Sequence, residues 1–165
     1  MKCLYLVRHA KSSWKYPNLE DFERPLNKRG RKSALLMGTI LNKLEVIPDL
    51  ILSSPANRAA MTARMIADLI NYPLEKIQYN ESIYLSGENA LIHVIESIDD
   101  TVNQAMLIGH NPGLTDLANT ISDQRISNIP TCGVFCVDLE IVSWMKISEH
   151  CGQMRFFEFP KKNAP

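Results

Sequence analysis

Short apolar runs alternate with longer amphipathic stretches along most of this chain. The runs at residues 3–7, 49–52 and 105–108 lack helical periodicity and predict strands that are buried on both faces of a sheet. A shorter strand is predicted near residues 76–79. Strands that alternate with helices in this way are typical of a three-layer α/β/α sandwich with a mostly parallel sheet.

Apolar residues at helical spacing follow each of these strands. Asn27 is suited to cap the first helix. Ser54 and Pro55 are suited to the cap and the first helical position of the second helix, and Asn111 and Pro112 repeat that arrangement in the fourth. The helices are predicted at residues 28–44, 55–70, 88–98 and 112–121.

Two further segments with strand patterns lie near the C-terminus, at residues 133–140 and 153–159. The loop between them shows no clear helical pattern, so the two strands are expected to pair antiparallel at one edge of the sheet. Residues 141–147 either extend the first of these strands across a turn or belong to the loop, and the pattern leaves both open.

The composition favours one domain that spans residues 1–165, since 45% of the residues are hydrophobic and no Gly/Ser-rich linker divides the chain. The formal net charge is zero, which argues against a nucleic-acid-binding surface or a polybasic membrane anchor. No apolar run approaches the ~18 residues of a membrane-spanning helix, and the apolar start is too short for a signal peptide. A cytoplasmic location is therefore expected.

The four cysteines are expected to be free, buried thiols. Cys132 and Cys136 fall in one predicted strand, where residues four apart lie about 13 Å from each other, beyond the ~7 Å limit for a disulfide. That separation is also unsuited to holding one metal ion. Cys3 lies in the first strand, while His93 and His150 are expected to be structural or solvated.

Basic side chains occur where three of the predicted parallel strands end. Arg8 and His9 follow the first strand, and His110 follows the fourth. Arg58 lies near the first turn of the helix after the second strand, where the helix dipole favours an anion over a cation. Each alone is also typical of a surface loop, an ion pair or a locally satisfied histidine. Parallel strands place their carboxyl ends at one edge of a sheet, so the four side chains are expected to converge there.

These segments resemble those of the histidine phosphatase superfamily, and in particular the small phosphohistidine phosphatases of the SixA type. Ala10 stands where the superfamily more often has glycine, and alanine is common in its SixA-like branch. The resemblance spans most of the chain, implies a phosphoglycerate mutase-like fold, and rests on RHAKSSW at 8–14, RPLNKRG at 24–30, SSP at 53–55 with Arg58, Ala59, Thr62 and Ala63, and GHNPG at 109–113.

The resemblance implies a phosphatase that needs no metal or other cofactor. His9 would attack the phosphoryl group through its neutral ring and form a phosphohistidine intermediate, which water then hydrolyses. Arg8 and Arg58 would hold the phosphoryl oxygens, because guanidinium groups suit multidentate recognition of negative charge. His110 would stabilise charge on the same oxygens, either protonated or as a hydrogen-bond donor.

The residue that protonates the leaving group is left open. Many superfamily members use a carboxylic acid, and Glu81 is the nearest candidate by position. Asp21 is a second candidate, because its loop is expected to fold over the site. Either residue is also typical of a solvated surface carboxylate. A phosphohistidine has a labile P–N bond, so the absence of an acid would impair its hydrolysis less than that of an alkyl phosphate.

Three functions are weighed for this pocket. Only the loop at residues 14–25 is long enough to form a lid, so an open pocket is expected, which favours a phosphohistidine on a protein such as a phosphotransfer domain. The alternative is a phosphatase for a small phosphoester, a sugar phosphate or a nucleotide, for which Lys11, Lys15 and Arg24 would supply further contacts. The third is a phosphate-binding module without turnover.

Overall fold

The computed structural model describes residues 1–163, and within them six strands form one sheet. The last two positions of the predicted domain, 164 and 165, lie outside the described residues. The strands are β1 (Lys2–Arg8), β2 (Leu50–Ser53), β3 (Gln78–Tyr79), β4 (Gln104–Gly109), β5 (Val134–Leu139) and β6 (Gly152–Glu158). The α-helices are α1 (Lys28–Lys43), α2 (Asn57–Leu69), α3 (Glu88–Glu96) and α4 (Gly113–Ile121).

The sheet has the strand order β3-β2-β4-β1-β5-β6. The first four of these strands are parallel, whereas β5 pairs antiparallel with β1, and β6 pairs antiparallel with β5. This arrangement confirms the predicted mostly parallel sheet with an antiparallel edge. The carboxyl ends of β1, β2 and β4 therefore lie side by side at one edge.

Both faces of the sheet are covered, which explains the unbroken apolar run in β1. Leu4 and Leu6 belong to a core cluster on the face of α3 and α4, while Tyr5 and Val7 belong to the cluster on the face of α1 and α2. Alternate residues of a strand point to opposite faces, so a strand buried on both faces is apolar at successive positions. The three-layer prediction is thereby confirmed.

The helix starts agree with the sequence in one of three capped cases. The Asn27 side chain accepts a hydrogen bond from the Gly30 N–H at 2.8 Å and caps α1 as predicted. The prediction for α4 is wrong, because the cap is Pro112 and the helix begins at Gly113, although Asn111 Oδ1 accepts a hydrogen bond from the Thr115 N–H at 3.2 Å. The prediction for α2 is wrong, because the cap is Ala56 and not Ser54.

The path of the chain after β5 decides between the two alternatives for residues 141–147. This segment contains a 3-10 turn, Trp144–Lys146, and does not extend the strand. The indole of Trp144 is fully buried against the α3 and α4 face of the sheet, and its Nε1–H donates to the Val102 carbonyl at 2.8 Å. Burial of this large side chain holds the segment against the core, so it leaves the plane of the sheet.

The cysteines are free, as expected, although Cys151 is only half-buried. Cys132 lies in a turn before β5 with φ of 60°, so placing it in the strand was wrong. Cys136 in β5 lies beside Cys3 in β1, with 3.5 Å between the sulfur atoms. His93 is exposed on α3 and lies 3.2 Å from Glu96.

The helices of residues 1–163 include none with the length and apolar character needed to cross a bilayer.

Trp144 and Met145 are adjacent residues with opposite environments, which allows a test of this packing. Trp144 is fully buried and Met145 is 63% exposed. We expect Trp144→Ala to lower the free energy of unfolding by about 3–5 kcal/mol, because it leaves a large cavity and removes the indole hydrogen bond. Met145→Ala is the control and should change it by less than about 0.5 kcal/mol. Urea unfolding of both variants checks this, and equal effects would contradict the assigned burial.

Candidate active site

A cavity of about 410 Å³ opens at the carboxyl edge of the parallel strands. All four basic residues predicted to converge contribute to its lining. The residues that line it are Arg8, His9, Lys11, Ser12, Trp14, Arg24, Asn27, Arg58, Leu85, His110, Asn111 and Thr131. Lys15, which was expected to supply a further anion contact, is exposed and does not line this cavity.

The parallel register of β1 and β4 places the two histidines side by side. Arg8 pairs with Gly109 at the end of both strands, and the His9 N–H donates to the Gly109 carbonyl at 3.1 Å. His110 follows directly, and the centroids of the two imidazole rings lie 5.1 Å apart. The backbone pairing of β1 with β4 therefore determines the positions of His9 and His110, the residues that follow these strands.

His9 is held in one tautomer by its own neighbour. Its Nδ1 lies 2.7 Å from the Ala10 carbonyl oxygen, which can only accept, so Nδ1 carries the ring proton and Nε2 keeps its lone pair. Burial, with the charges of Arg58 and Arg8, lowers the pKa of His9 to about 4, although the bond to Ala10 opposes the shift. At neutral pH the ring is therefore uncharged, with a lone pair available at Nε2.

His110 is also neutral at pH 7, because burial and the adjacent His9 and Arg58 lower its pKa to about 3. Its Nε2 lies 2.8 Å from the Ser54 hydroxyl, and the edge of the Tyr84 ring packs against it with centroids 5.6 Å apart. When the hydroxyl donates to Nε2, the ring proton resides on Nδ1, a buried atom with no partner among residues 1–163. A neutral N–H donor is thus available beside His9.

Arg8 and Arg58 each use part of the guanidinium group to anchor themselves. Arg8 donates from Nη1 to the Ile129 carbonyl at 3.0 Å. Arg58, which is only 3% exposed, donates to the backbone carbonyl and to the carboxylate of Asp21, at 2.7 and 3.0 Å. Within the described chain, the Nε atoms of both arginines are buried and have no hydrogen-bond partner. Buried donors of this kind suit a multiply charged anion.

Asp21 contacts three residues at or beside the cavity. Its carboxylate accepts hydrogen bonds from Arg58, from Arg24 at 3.0 Å and from the Tyr84 hydroxyl at 2.7 Å. Partial burial raises the pKa of Asp21, but these three hydrogen bonds outweigh burial and lower the pKa to about 2. The carboxyl group is therefore ionised at neutral pH and has no proton to donate.

The loop at residues 14–25 carries Asp21 and is closed at its base, where the Ser13 N–H donates to the Pro25 carbonyl at 2.8 Å. Arg24 joins this loop to the cavity wall. Its Nη1 donates to the Ser12 hydroxyl at 2.6 Å, and its guanidinium carbon lies 3.6 Å from the centroid of the Trp14 ring. The loop thus borders the cavity, as the sequence predicted.

The structure does not bring Glu81 into this group. Glu81 begins a 3-10 turn after β3, is exposed, and does not line the cavity. Tyr84, at the end of the same turn, lies at the site instead and contacts Asp21 and His110.

Sequence analysis missed that Tyr84 and Ser54 contact His110 at the site. Ser54 was interpreted as a helix cap, although its position directly after β2 was a usable signal.

No cluster of three or more His, Cys, Asp or Glu side chains suited to a metal ion occurs within residues 1–163.

Comparison with known proteins places this site in a family. The model of the histidine phosphatase superfamily (branch 1) matches residues 4–79. A chloroplastic protein of Arabidopsis thaliana, itself uncharacterised, is 32% identical over 149 residues, which cover 86% of this chain and 68% of the relative.

Two solved structures share the whole fold. The protein histidine phosphatase SixA complexed with tungstate superposes with a TM-score of 0.84 at 18% identity, covering 98% of this chain and 99% of the other. The phosphohistidine phosphatase SixA from Agrobacterium tumefaciens, described as putative, superposes with a TM-score of 0.81 at 28% identity, covering 96% and 98%. These likenesses confirm the phosphoglycerate mutase-like fold. The chain therefore belongs to the histidine phosphatase superfamily, and its fold is of the SixA type.

Proposed function

We propose that this protein is a phosphatase that hydrolyses phosphohistidine on another protein, such as a cytoplasmic phosphotransfer domain, without a metal or other cofactor. One observation carries the proposal: the neutral ring of His9 keeps a lone pair on Nε2 beside Arg8 and Arg58. Nucleophile and charge-binding groups are thus assembled at one cavity, as phosphoryl transfer requires.

The reaction proceeds by two displacements at phosphorus. The lone pair of His9 Nε2 forms a bond to phosphorus while the P–N bond of the substrate breaks, and the substrate imidazole leaves with that electron pair. Water then attacks the phosphoryl group on His9, the electron pair of the new P–N bond returns to Nε2, a proton of the water passes to solvent, and inorganic phosphate departs. Arg8, Arg58 and the N–H of His110 bind the phosphoryl oxygens in both steps.

The state of the carboxylates supports a phosphohistidine substrate over an alkyl phosphate. Asp21 is ionised by its contacts with Arg58 and Arg24, and Glu81 is exposed outside the cavity. An alkoxide leaving group needs a proton from such an acid, whereas the imidazole of phosphohistidine is a much better leaving group because its second nitrogen takes up a proton from solvent.

We assign Asp21 to the positioning of Arg58. Its carbonyl and carboxylate hold both terminal nitrogens of the guanidinium group, which fixes the plane of that group at the cavity wall. The pair joins a buried guanidinium group to an exposed carboxylate, so it orients Arg58 more than it stabilises the fold.

The second candidate is a phosphatase for a small phosphoester. Lys11 and Arg24 line the cavity and favour it, because each supplies positive charge beside the phosphoryl site. A sugar phosphate or a nucleotide would then be the substrate, and retained binding without turnover would indicate the third function, a phosphate-binding module.

Replacement of the nucleophile gives the first test. We expect His9→Ala to lower phosphate release from a phosphohistidine protein at least about a thousandfold, since the covalent route is lost. His93→Ala, on the exposed face of α3, is the control and should match the wild type. Assays in EDTA should give unchanged rates. Retention of more than a few per cent of activity by His9→Ala, or loss in EDTA that a divalent metal restores, would refute the mechanism.

The protonation state of His9 is directly measurable by ¹⁵N NMR of the histidine rings in phosphate-free buffer. Burial lowers its pKa to about 4, so the ring should stay neutral, with the proton on Nδ1, as the pH falls from 7 to 5. The unfolded chain has an ordinary histidine pKa near 6.5 and binds the proton first, so this residue lowers stability as the pH falls from about 6.5 to 4. A midpoint near 6.5, or the proton on Nε2, would contradict the assignment.

Two substrates whose leaving groups differ in their need for a proton distinguish a positioning role of Asp21 from general acid catalysis. We expect Asp21→Asn to lower kcat/KM about 10- to 100-fold through misplacement of Arg58, by the same factor for 4-nitrophenyl phosphate and for phenyl phosphate. Tyr84→Phe keeps both ion pairs of Asp21 and should lower kcat/KM less than threefold or so.

A loss confined to phenyl phosphate, whose leaving group needs a proton, would instead identify Asp21 as the acid. The same comparison applied to Glu81→Gln should show no difference between the two substrates.

A further inference from the structure

A second groove, of about 510 Å³, lies beside the phosphate cavity. Its walls come from the segment after β1, the first half of α1, the turn before β5 and the 3-10 turn after β6. We name it the basic groove, defined by Lys11, Arg29, Lys32, Ser33, Leu36, Pro130, Thr131, Pro160 and Lys161. Lys11 and Thr131 line both the groove and the cavity, so the two are continuous.

The lining of the basic groove is strongly positive although the chain as a whole has no net charge. Four cations line it and no carboxylate does. Among the ion pairs of residues 1–163, none involves Lys11, Arg29, Lys32 or Lys161. These charges are therefore available to an external partner.

The sequence of α1 shows that these cations are not placed for the stability of the helix. Arg29 and Lys32 lie three residues apart on one face near its amino end, and its first turn contains no acidic residue. Both the repulsion between neighbouring cations and the positive end of the helix dipole disfavour this pattern. An anion bound in the basic groove would offset both effects.

The shape of the groove favours an acidic polypeptide over a second phosphate group. Its cations come from three separate elements, and Leu36, Pro130 and Pro160 add apolar surface to the same lining. A single phosphate is held by convergent donors, as at Arg8 and Arg58. Cations from separate elements, together with apolar surface, match a segment that carries several carboxylates and an apolar side chain.

We propose that the basic groove docks an acidic segment of the protein substrate while its phosphorylated histidine enters the adjacent cavity. This inference rests on the proposed phosphohistidine phosphatase function and specifies which phosphoproteins are favoured. Electrostatic attraction at the groove raises the rate of productive encounter and lowers KM, and it weakens as salt increases.

Two triple variants with the same change in net charge test the docking. The first is Arg29→Glu with Lys32→Glu and Lys161→Glu, in the basic groove. The second, the control, is Arg64→Glu with Lys76→Glu and Lys146→Glu, three exposed residues that line neither the groove nor the cavity. Lys11 is left unchanged because it also lines the phosphate cavity.

The substrates are a histidine-phosphorylated phosphotransfer domain with carboxylates around its histidine, the same domain with those carboxylates changed to amides, and 4-nitrophenyl phosphate. We expect the groove variant to lower kcat/KM on the acidic domain at least tenfold or so, mainly through KM, with a weaker dependence on salt. On the amide domain and on 4-nitrophenyl phosphate, which present no acidic segment, the groove variant and the control should agree within about twofold.

The outcomes separate failure of this inference from failure of the proposed function. If the wild type hydrolyses the phosphorylated domain but the groove variant equals the control on it, the docking is refuted and the proposed function stands. If the wild type hydrolyses neither the domain nor free phosphohistidine, the proposed function fails, and the docking with it. A loss by the groove variant on a nucleoside diphosphate and not on the domain would assign the groove to a small anion and refute the docking.

Discussion

The parallel pairing of β1 with β4 is the contact on which the site depends. It brings Arg8 opposite Gly109 and so places the next residue of each strand, His9 and His110, side by side at the sheet edge. Neither histidine lies in a strand, but each is fixed by the strand before it. The apolar run that buries β1 on both faces, and so holds it beside β4, is therefore the reason that the two histidines meet.

The electrostatics of the cavity follow from the crowding of four basic side chains at this edge of the sheet. Two imidazoles and two guanidinium groups share a partly buried space, and the histidines respond by staying neutral. For His9 that response suits the proposed reaction, because a neutral ring with the proton held on Nδ1 by Ala10 keeps a lone pair on Nε2. Asp21, ionised by its contacts with Arg58 and Arg24, supplies compensating negative charge beside these four basic residues.

The sequence predicted the parts of the site that secondary structure fixes. Arg58 and His110 were placed correctly, since His110 lies directly after β4 and Arg58 lies in the first turn of the helix that follows β2. The ion pair of Asp21 with Arg58 joins residues 37 apart through a loop, whose path depends on contacts that no local pattern records. Glu81 follows β3, a strand of only two residues. So few backbone hydrogen bonds do not determine the direction of the side chains in the next turn. Trp144 could not be placed because its segment is positioned by burial and not by periodicity.

The most direct test of the account is the detection of the covalent intermediate. The wild-type protein would be mixed with phosphoramidate, a small compound with a P–N bond, quenched rapidly in alkali, and analysed by mass spectrometry and ³¹P NMR. We expect one phosphoryl group, acid-labile and attached to His9 through Nε2. Turnover without a phosphoenzyme, or a phosphoryl group on Nδ1 or on another residue, would contradict the central claim that the free lone pair of His9 performs the chemistry.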